Sequence, residues 1–131
     1  MKKIVTAILL FMTIIILSGC SINHLFNEPS QKEMIEIVRS EEVRKLIEKD
    51  LLIDDPKAFT EEGVIKNYTI DENQIYWNEG GGIEIMMYLN NNENYERTML
   101  LVKENNKYRI SSGTRTPEVM EQIKKRDTNN G

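Results

Sequence analysis

Ile83-Glu84-Ile85-Met86-Met87-Tyr88-Leu89 alternates with a period of two, so that Ile83, Ile85, Met87 and Leu89 share one side and Glu84, Met86 and Tyr88 the other. A strand of this kind is half-buried and needs both paired neighbours and a covering layer. Downstream, Tyr95 to Lys103 and Lys107 to Ser112 have strand composition, and the separators Asn90-Asn91-Asn92-Glu93-Asn94 and Asn105-Asn106 are turn formers that tolerate left-handed backbone. These three segments predict an antiparallel meander. Upstream, Val64 to Ile70 and Gln74 to Trp77 are two further strand candidates, the second short.

The covering layer comes from the helices on either side. Ser30-Gln31-Lys32-Glu33 after Pro29 has the form of a capping box, and Met34, Ile35, Val38, Val43, Leu46 and Ile47 follow with a spacing near 3.6. Without an intervening Gly or Pro, one continuous helix to about Leu51 is favoured over a restart at Ser40-Glu41-Glu42. Asp54-Asp55-Pro56 reads as an N-cap with Pro at the first helical position, opening a short turn through Lys57-Ala58-Phe59 that ends before Gly63. Thr116-Pro117 opens a final helix with Val119, Met120 and Ile123 inward and Lys124, Lys125 and Arg126 at its C-terminal end; residues 127–131 are expected to fray. The expectation is an α+β domain over residues 30–126: an N-terminal long helix packed on a four- to five-stranded antiparallel meander, followed by a short C-terminal helix. Cystatin-like two-layer folds share this element order, an analogy that carries no function.

The N-terminus reads as an address. Lys2 and Lys3 precede an apolar stretch, Ile4 to Leu17, and then Leu17-Ser18-Gly19-Cys20, the layout of a bacterial lipoprotein signal over residues 1–19 with cleavage between Gly19 and Cys20 and diacylglyceryl transfer to the Cys20 thiol. The apolar run is shorter than the ~20 residues that span a bilayer. Residues 20–29 then form a tether that reaches at most about 30 Å when extended, which holds the domain at the extracytoplasmic face of the cell membrane. His24 lies in this tether with nothing nearby to complete a site.

Composition removes whole classes of chemistry. One Cys and one His among 131 residues exclude disulfide frameworks, zinc ribbons and His-dependent triads. Loss of the first 19 residues leaves 112 with a net charge of −6, and such an acidic chain lacks the basic stripe that nucleic acid demands. The acid pairs Glu41-Glu42, Asp54-Asp55, Glu61-Glu62 and Asp71-Glu72 show no calcium-loop spacing and read as solvated surface, with capping sufficient for Asp54-Asp55. Met86, Met87 and Met99 read as core filling rather than a soft-metal site. Ser40, Ser111 and Ser112 have no His partner. Neither a metal nor a cofactor is indicated. Gly80-Gly81-Gly82 lacks the Lys-Ser/Thr and the helix of a phosphate loop and reads as a bulge or wide hairpin. Tyr76 and Trp77 beside it are the candidate contact residues: alternation turns one of the two inward and presents the other.

Met34-Ile35-Glu36-Ile37-Val38, Ser40-Glu41-Glu42, Leu46-Ile47-Glu48, the block Asp55-Pro56-Lys57-Ala58-Phe59-Thr60-Glu61-Glu62-Gly63-Val64-Ile65-Lys66 and Gly80-Gly81-Gly82-Ile83 together resemble a family of small Gram-positive lipoproteins that carries only a domain-of-unknown-function label. The resemblance implies a secreted, lipid-anchored domain and offers no catalytic residues. The expected function is a membrane-tethered interaction module with a protein or peptide partner, bound through the sheet edge and the Tyr76 to Gly82 hairpin. An immunity-type lipoprotein that neutralises a secreted toxin is the alternative, and an enzyme the weakest reading.

Overall fold

The computed structural model describes residues 2–6 and 28–131. Gly19, Cys20, His24 and the tether as far as residue 27 lie outside the described residues. No helix among those described is long and apolar enough to cross a membrane.

Helix α1 (Gln31–Arg39) starts at Ser30, whose hydroxyl accepts from the Glu33 amide at 3.2 Å. The continuous helix expected from the sequence is instead two. Ser40 is extended (φ −62°, ψ 151°), its hydroxyl donates to the Ile37 carbonyl at 2.6 Å and accepts from the Val43 amide at 3.3 Å, and α2 (Glu41–Asp54) begins beyond it. One hydroxyl thus closes the first helix and caps the second, which breaks the chain without Gly or Pro. Met34 and Val38 of α1 and Val43, Ile47 and Leu51 of α2 are buried, the apolar stripe continuing across the break.

The sheet consists of β1 (Tyr68–Ile70), β2 (Tyr76–Trp77), β3 (Ile83–Leu89), β4 (Glu96–Glu104) and β5 (Lys107–Gly113), all antiparallel, in the order β1-β3-β4-β5 with β2 also on β3. β1 and β2 share one side of β3 in succession: Tyr68–Ile70 face Leu89–Met87, and Tyr76 and Trp77 face Glu84 and Ile83. β1 is shorter than the expected Val64 to Ile70 because the Val64 and Ile65 amides serve the Asp55 carboxylate instead of a ladder. Gln74 belongs to a 3₁₀ turn (Glu72–Gln74) rather than to β2. The meander is as expected, with Asn105 and Asn106 at φ 51° and 62° in the β4–β5 turn. Ile83, Ile85, Met87 and Leu89 are all buried against the helices.

The expected helical turn at Lys57-Ala58-Phe59 is a non-helical loop in which Phe59 has φ 67°. Helix α3 (Pro117–Asn129) buries Val119 and Ile123, as its spacing predicts, but runs to Asn129, so most of the stretch expected to fray is helical. Thr116 is the N-cap residue before Pro117, as expected, with its carbonyl accepting from the Met120 amide at 3.0 Å, but its hydroxyl makes no cap bond and donates instead to the Glu96 carbonyl at 2.6 Å.

Candidate functional site

The Tyr76 to Gly82 hairpin is built around Glu84. Its carboxylate accepts from the Tyr76 hydroxyl at 2.8 Å and from the Asn78 amide group at 2.7 Å. The Asn78 side-chain oxygen in turn accepts from the Gly80 amide at 2.8 Å. The hydrogen bond to Glu84 raises the Tyr76 phenol above its ordinary pKa. Gly81 and Gly82 adopt φ 95° and 114°, backbone that L side chains rarely enter, and a Cβ on Gly82 would stand 2.8 Å from the Leu101 carbonyl oxygen. The three glycines therefore form a tight, close-lying turn rather than a phosphate cradle.

The two aromatics part as alternation requires. Tyr76 is half exposed on the sheet face away from the helices, while Trp77 is partly buried against the core. Trp77, Gly80, Gly81 and Gly82 line a groove of about 530 Å³ between the start of α1 and the sheet, walled by Ile37, Ile83, Leu101 and Val102 and closed by Tyr108. Glu33 and Lys103 supply its charges, and the Lys103 ammonium lies 5.3 Å from the centre of the Tyr108 ring. Pro29, the last residue of the expected tether, is on its rim. Tyr76 is not among the lining residues, so the sequence-derived pair contributes one member to the groove.

Asp54 and Asp55 overturn the reading of that pair as a solvated cap. Asp54 closes α2 and, with Asp50 one turn earlier, holds the guanidinium of Arg97 from β4; Asp54 also accepts from Arg115 Nε at 2.7 Å. Arg97 is 4% exposed, and its Nε has no partner among the described residues. Asp55 is fully buried: Oδ2 accepts from the Val64 and Ile65 amides at 2.7 and 3.0 Å, and Oδ1 from the Lys57 amide at 3.1 Å and from Arg126 at 2.6 Å. Burial pushes this carboxyl up, but the Ile65 amide, Arg126 and the Lys57 and Val64 amides more than offset it and hold it below the usual carboxylate range. The sequence carries a trace of this. Asp54 continues the Val43, Ile47, Leu51 stripe, and Arg97 alternates in phase with Met99 and Leu101, so both charges stand at inward positions.

The other acid pairs serve surface roles. Glu41 pairs with Lys45, Glu62 with Lys57, Glu72 with Arg39, and Asp71 accepts from the Asn73 amide. Among the described residues no three His, Cys, Asp or Glu side chains cluster to hold a metal ion. Met87 and Met99 are buried in the core, and Met86 is half-buried on the opposite face. Ser111 and Ser112 are exposed on β5.

A family model described as a protein of unknown function (DUF1310) matches residues 4–123, from the first apolar stretch to the middle of α3. The chain belongs to the DUF1310 family. No curated protein and no solved structure matches it. The matched span of this DUF1310 chain takes in every residue that lines the groove and the Asp50, Asp54, Arg97, Arg115 cluster, but stops short of Arg126.

Proposed function

We propose that this DUF1310 protein is an extracytoplasmic interaction module, anchored through diacylglyceryl on Cys20, that receives part of a protein or peptide in the groove beside its glycine loop. The observation that carries this reading is the convergence of Trp77, Gly80, Gly81, Gly82 and Tyr108 on one concave, largely apolar surface. Pro29 on its rim adds the geometry of the anchor: nine residues after Cys20, at ~3.3 Å each, keep the groove within about 30 Å of the membrane surface. The Leu17-Ser18-Gly19-Cys20 box supports the anchor itself. An immunity-type role against a secreted toxin is the second reading, favoured by the acidic net charge of the chain, which loss of Lys2 and Lys3 with the first 19 residues deepens and which suits a basic partner arriving at the membrane.

In-cell crosslinking of the lipidated protein, read by mass spectrometry, tests the proposal. A dominant envelope or secreted partner lost in Trp77→Ala and retained in Tyr76→Ala supports it, because only Trp77 lines the groove. Capture that is equal in all three proteins overturns it. Cys20→Ser is expected to release the protein from the membrane fraction, and membrane retention of that variant removes the anchor from the reading.

A further inference from the structure

β5 pairs with β4 on one side, and among the described residues no strand pairs with its other side. Its residues Lys107, Arg109, Ser111, Ser112 and Gly113 are exposed. Free edges are commonly guarded by lysine or a bulge, and this one has both, the pairing with β4 shifting register between Leu100 and Leu101. A guard, however, has no need of what stands at the two ends of the strand. At one end Tyr108 closes the aromatic groove. At the other, Ser111, Ser112 and Gly113 line a cavity of about 260 Å³ with Ile110, Arg115, Asp50 and Asp50's partner Arg97, whose buried Nε lacks a partner among the described residues.

Charge selects the occupant. Between Lys103 and Arg115 stand four cations, of which Arg109 is paired with Glu104 at 2.6 Å and Arg115 with Asp54 at 2.7 Å, so that Lys103 and Lys107 are left without an ion pair among the described residues, in a chain whose net charge is −4. The edge is thus locally basic on an acidic protein. A second copy of β5 paired antiparallel over its full length would set Lys107 opposite Gly113 and Arg109 opposite Ser111 and bring no carboxylate to either cation, whereas an acidic peptide supplies the complementary charge. We propose that β5 is a docking strand for an extended acidic peptide, which adds to its free edge and reaches from the Tyr108 end to Arg115. Main-chain hydrogen bonds supply affinity in strand addition, and pockets for alternate side chains supply specificity. The span from Tyr108 to Gly113, five steps of ~3.3 Å, suits a peptide of about five residues. This inference rests on the interaction-module reading and names the partner's chemistry.

The test uses the full chain in detergent with three eight-residue peptides, acetylated and amidated, in which Val alternates with Glu, Lys or Ser. Two readouts separate the two ideas: fluorescence of Trp77, the only Trp in the chain, and hydrogen exchange of the β5 amides. The Glu peptide is expected to protect the β5 amides and leave those of β1 unchanged, and to bind at least about tenfold more weakly to Lys107→Gln/Arg109→Gln and as salt is raised. Equal or tighter binding of the Ser or Lys peptide overturns the proposal, as does self-association of the chain through protected β5 amides. A Trp77 response without β5 protection rejects strand docking and keeps the groove. β5 protection without a Trp77 response keeps strand docking and removes the groove from the site. Silence in both readouts rejects strand docking as well.

Discussion

The Arg126 guanidinium lies 2.6 Å from the carboxylate of Asp55, a residue with no exposed surface, and so joins the last helix to a loop that begins 71 residues earlier. Asp55 also gathers the Lys57, Val64 and Ile65 amides, so a single carboxylate closes the loop and receives α3. Removing the carboxylate leaves the buried Ile65 amide and the part-buried Lys57 and Val64 amides without their acceptor, and leaves the Arg126 guanidinium only Asp127 and the Glu62 carbonyl. Asp55→Ala is expected to cost about 3–5 kcal/mol by chemical denaturation. Arg126→Gln leaves the three amides satisfied and is expected to cost less; an equal loss would assign the clamp to the ion pair alone.

The same carboxylate predicts an acid limb. Its folded pKa lies below the unfolded value of about 3.9, so the unfolded chain binds the extra proton first and stability rises with pH in that range. The contribution is fully present above the unfolded pKa and is lost as pH falls through the folded one. Thermal melts are expected to be flat between about pH 5 and 7 as far as this group is concerned and to drop below about pH 4. Asp55→Asn is expected to melt lower at pH 7 with a shallower acid limb. An unchanged limb in that variant would place the acid sensitivity elsewhere.

Arg97, with a side chain 5% exposed between Asp50 and Asp54, stakes a second buried charge on its partners. Arg97→Met is expected to destabilise by about 3–5 kcal/mol, because Asp54 then keeps only Arg115. Arg97→Met/Asp54→Leu is expected to recover a large part of that loss, since an apolar pair of similar volume avoids the desolvation of both ions. Strictly additive losses in this cycle would show that the two side chains do not act as a pair.

The β3 alternation and the strand-forming Asn turns made the meander legible, because a period of two and left-handed Asn are local signals. The break at Ser40 was not, since either outcome satisfies the apolar stripe and a hydroxyl capping two helices at once is a choice made by side-chain geometry. Trp77 and the glycines were singled out from the sequence, but Tyr108, Lys103 and Pro29 join them only through the pairing of β4 with β5 and the placement of α1. Asp54-Asp55 looked like a cap because its partners, Arg97, Arg115 and Arg126, are 43 to 71 residues away.

Three glycines separate close packing from backbone conformation. A Cβ on Gly63 would stand 2.2 Å from the Lys57 carbonyl oxygen, within the Asp55 loop, whereas one on Gly81 would meet nothing within 4 Å and carry only the strain of φ 95°. Gly63→Ala is expected to cost about 1–3 kcal/mol and Gly81→Ala about 1–2 kcal/mol. Gly82→Ala combines φ 114° with a contact to the Leu101 carbonyl, and its loss is expected to exceed that of Gly81→Ala. Equal losses at Gly81 and Gly82 would show that the loop moves away from β4 freely.

Phe59 inverts the usual order of substitutions. It holds φ 67°, a conformation costing about 1–2 kcal/mol for a side chain of this kind, and its ring meets Tyr68 edge-on at 6.2 Å between centroids, a contact worth about 0.5–1.5 kcal/mol. Phe59→Gly gives up the contact and relieves the strain, so its net effect is expected to stay within about 1 kcal/mol of zero. Phe59→Ala gives up the contact and keeps the strain, and is expected to be the less stable of the two by about 1 kcal/mol. Elsewhere in a folded chain Ala for a large residue is normally gentler than Gly, because Gly adds unfolded-state entropy. Finding that normal order at Phe59 in urea denaturation would mean that its backbone relaxes out of the left-handed region, and that the Asp55 clamp does not dictate the loop as far as Phe59.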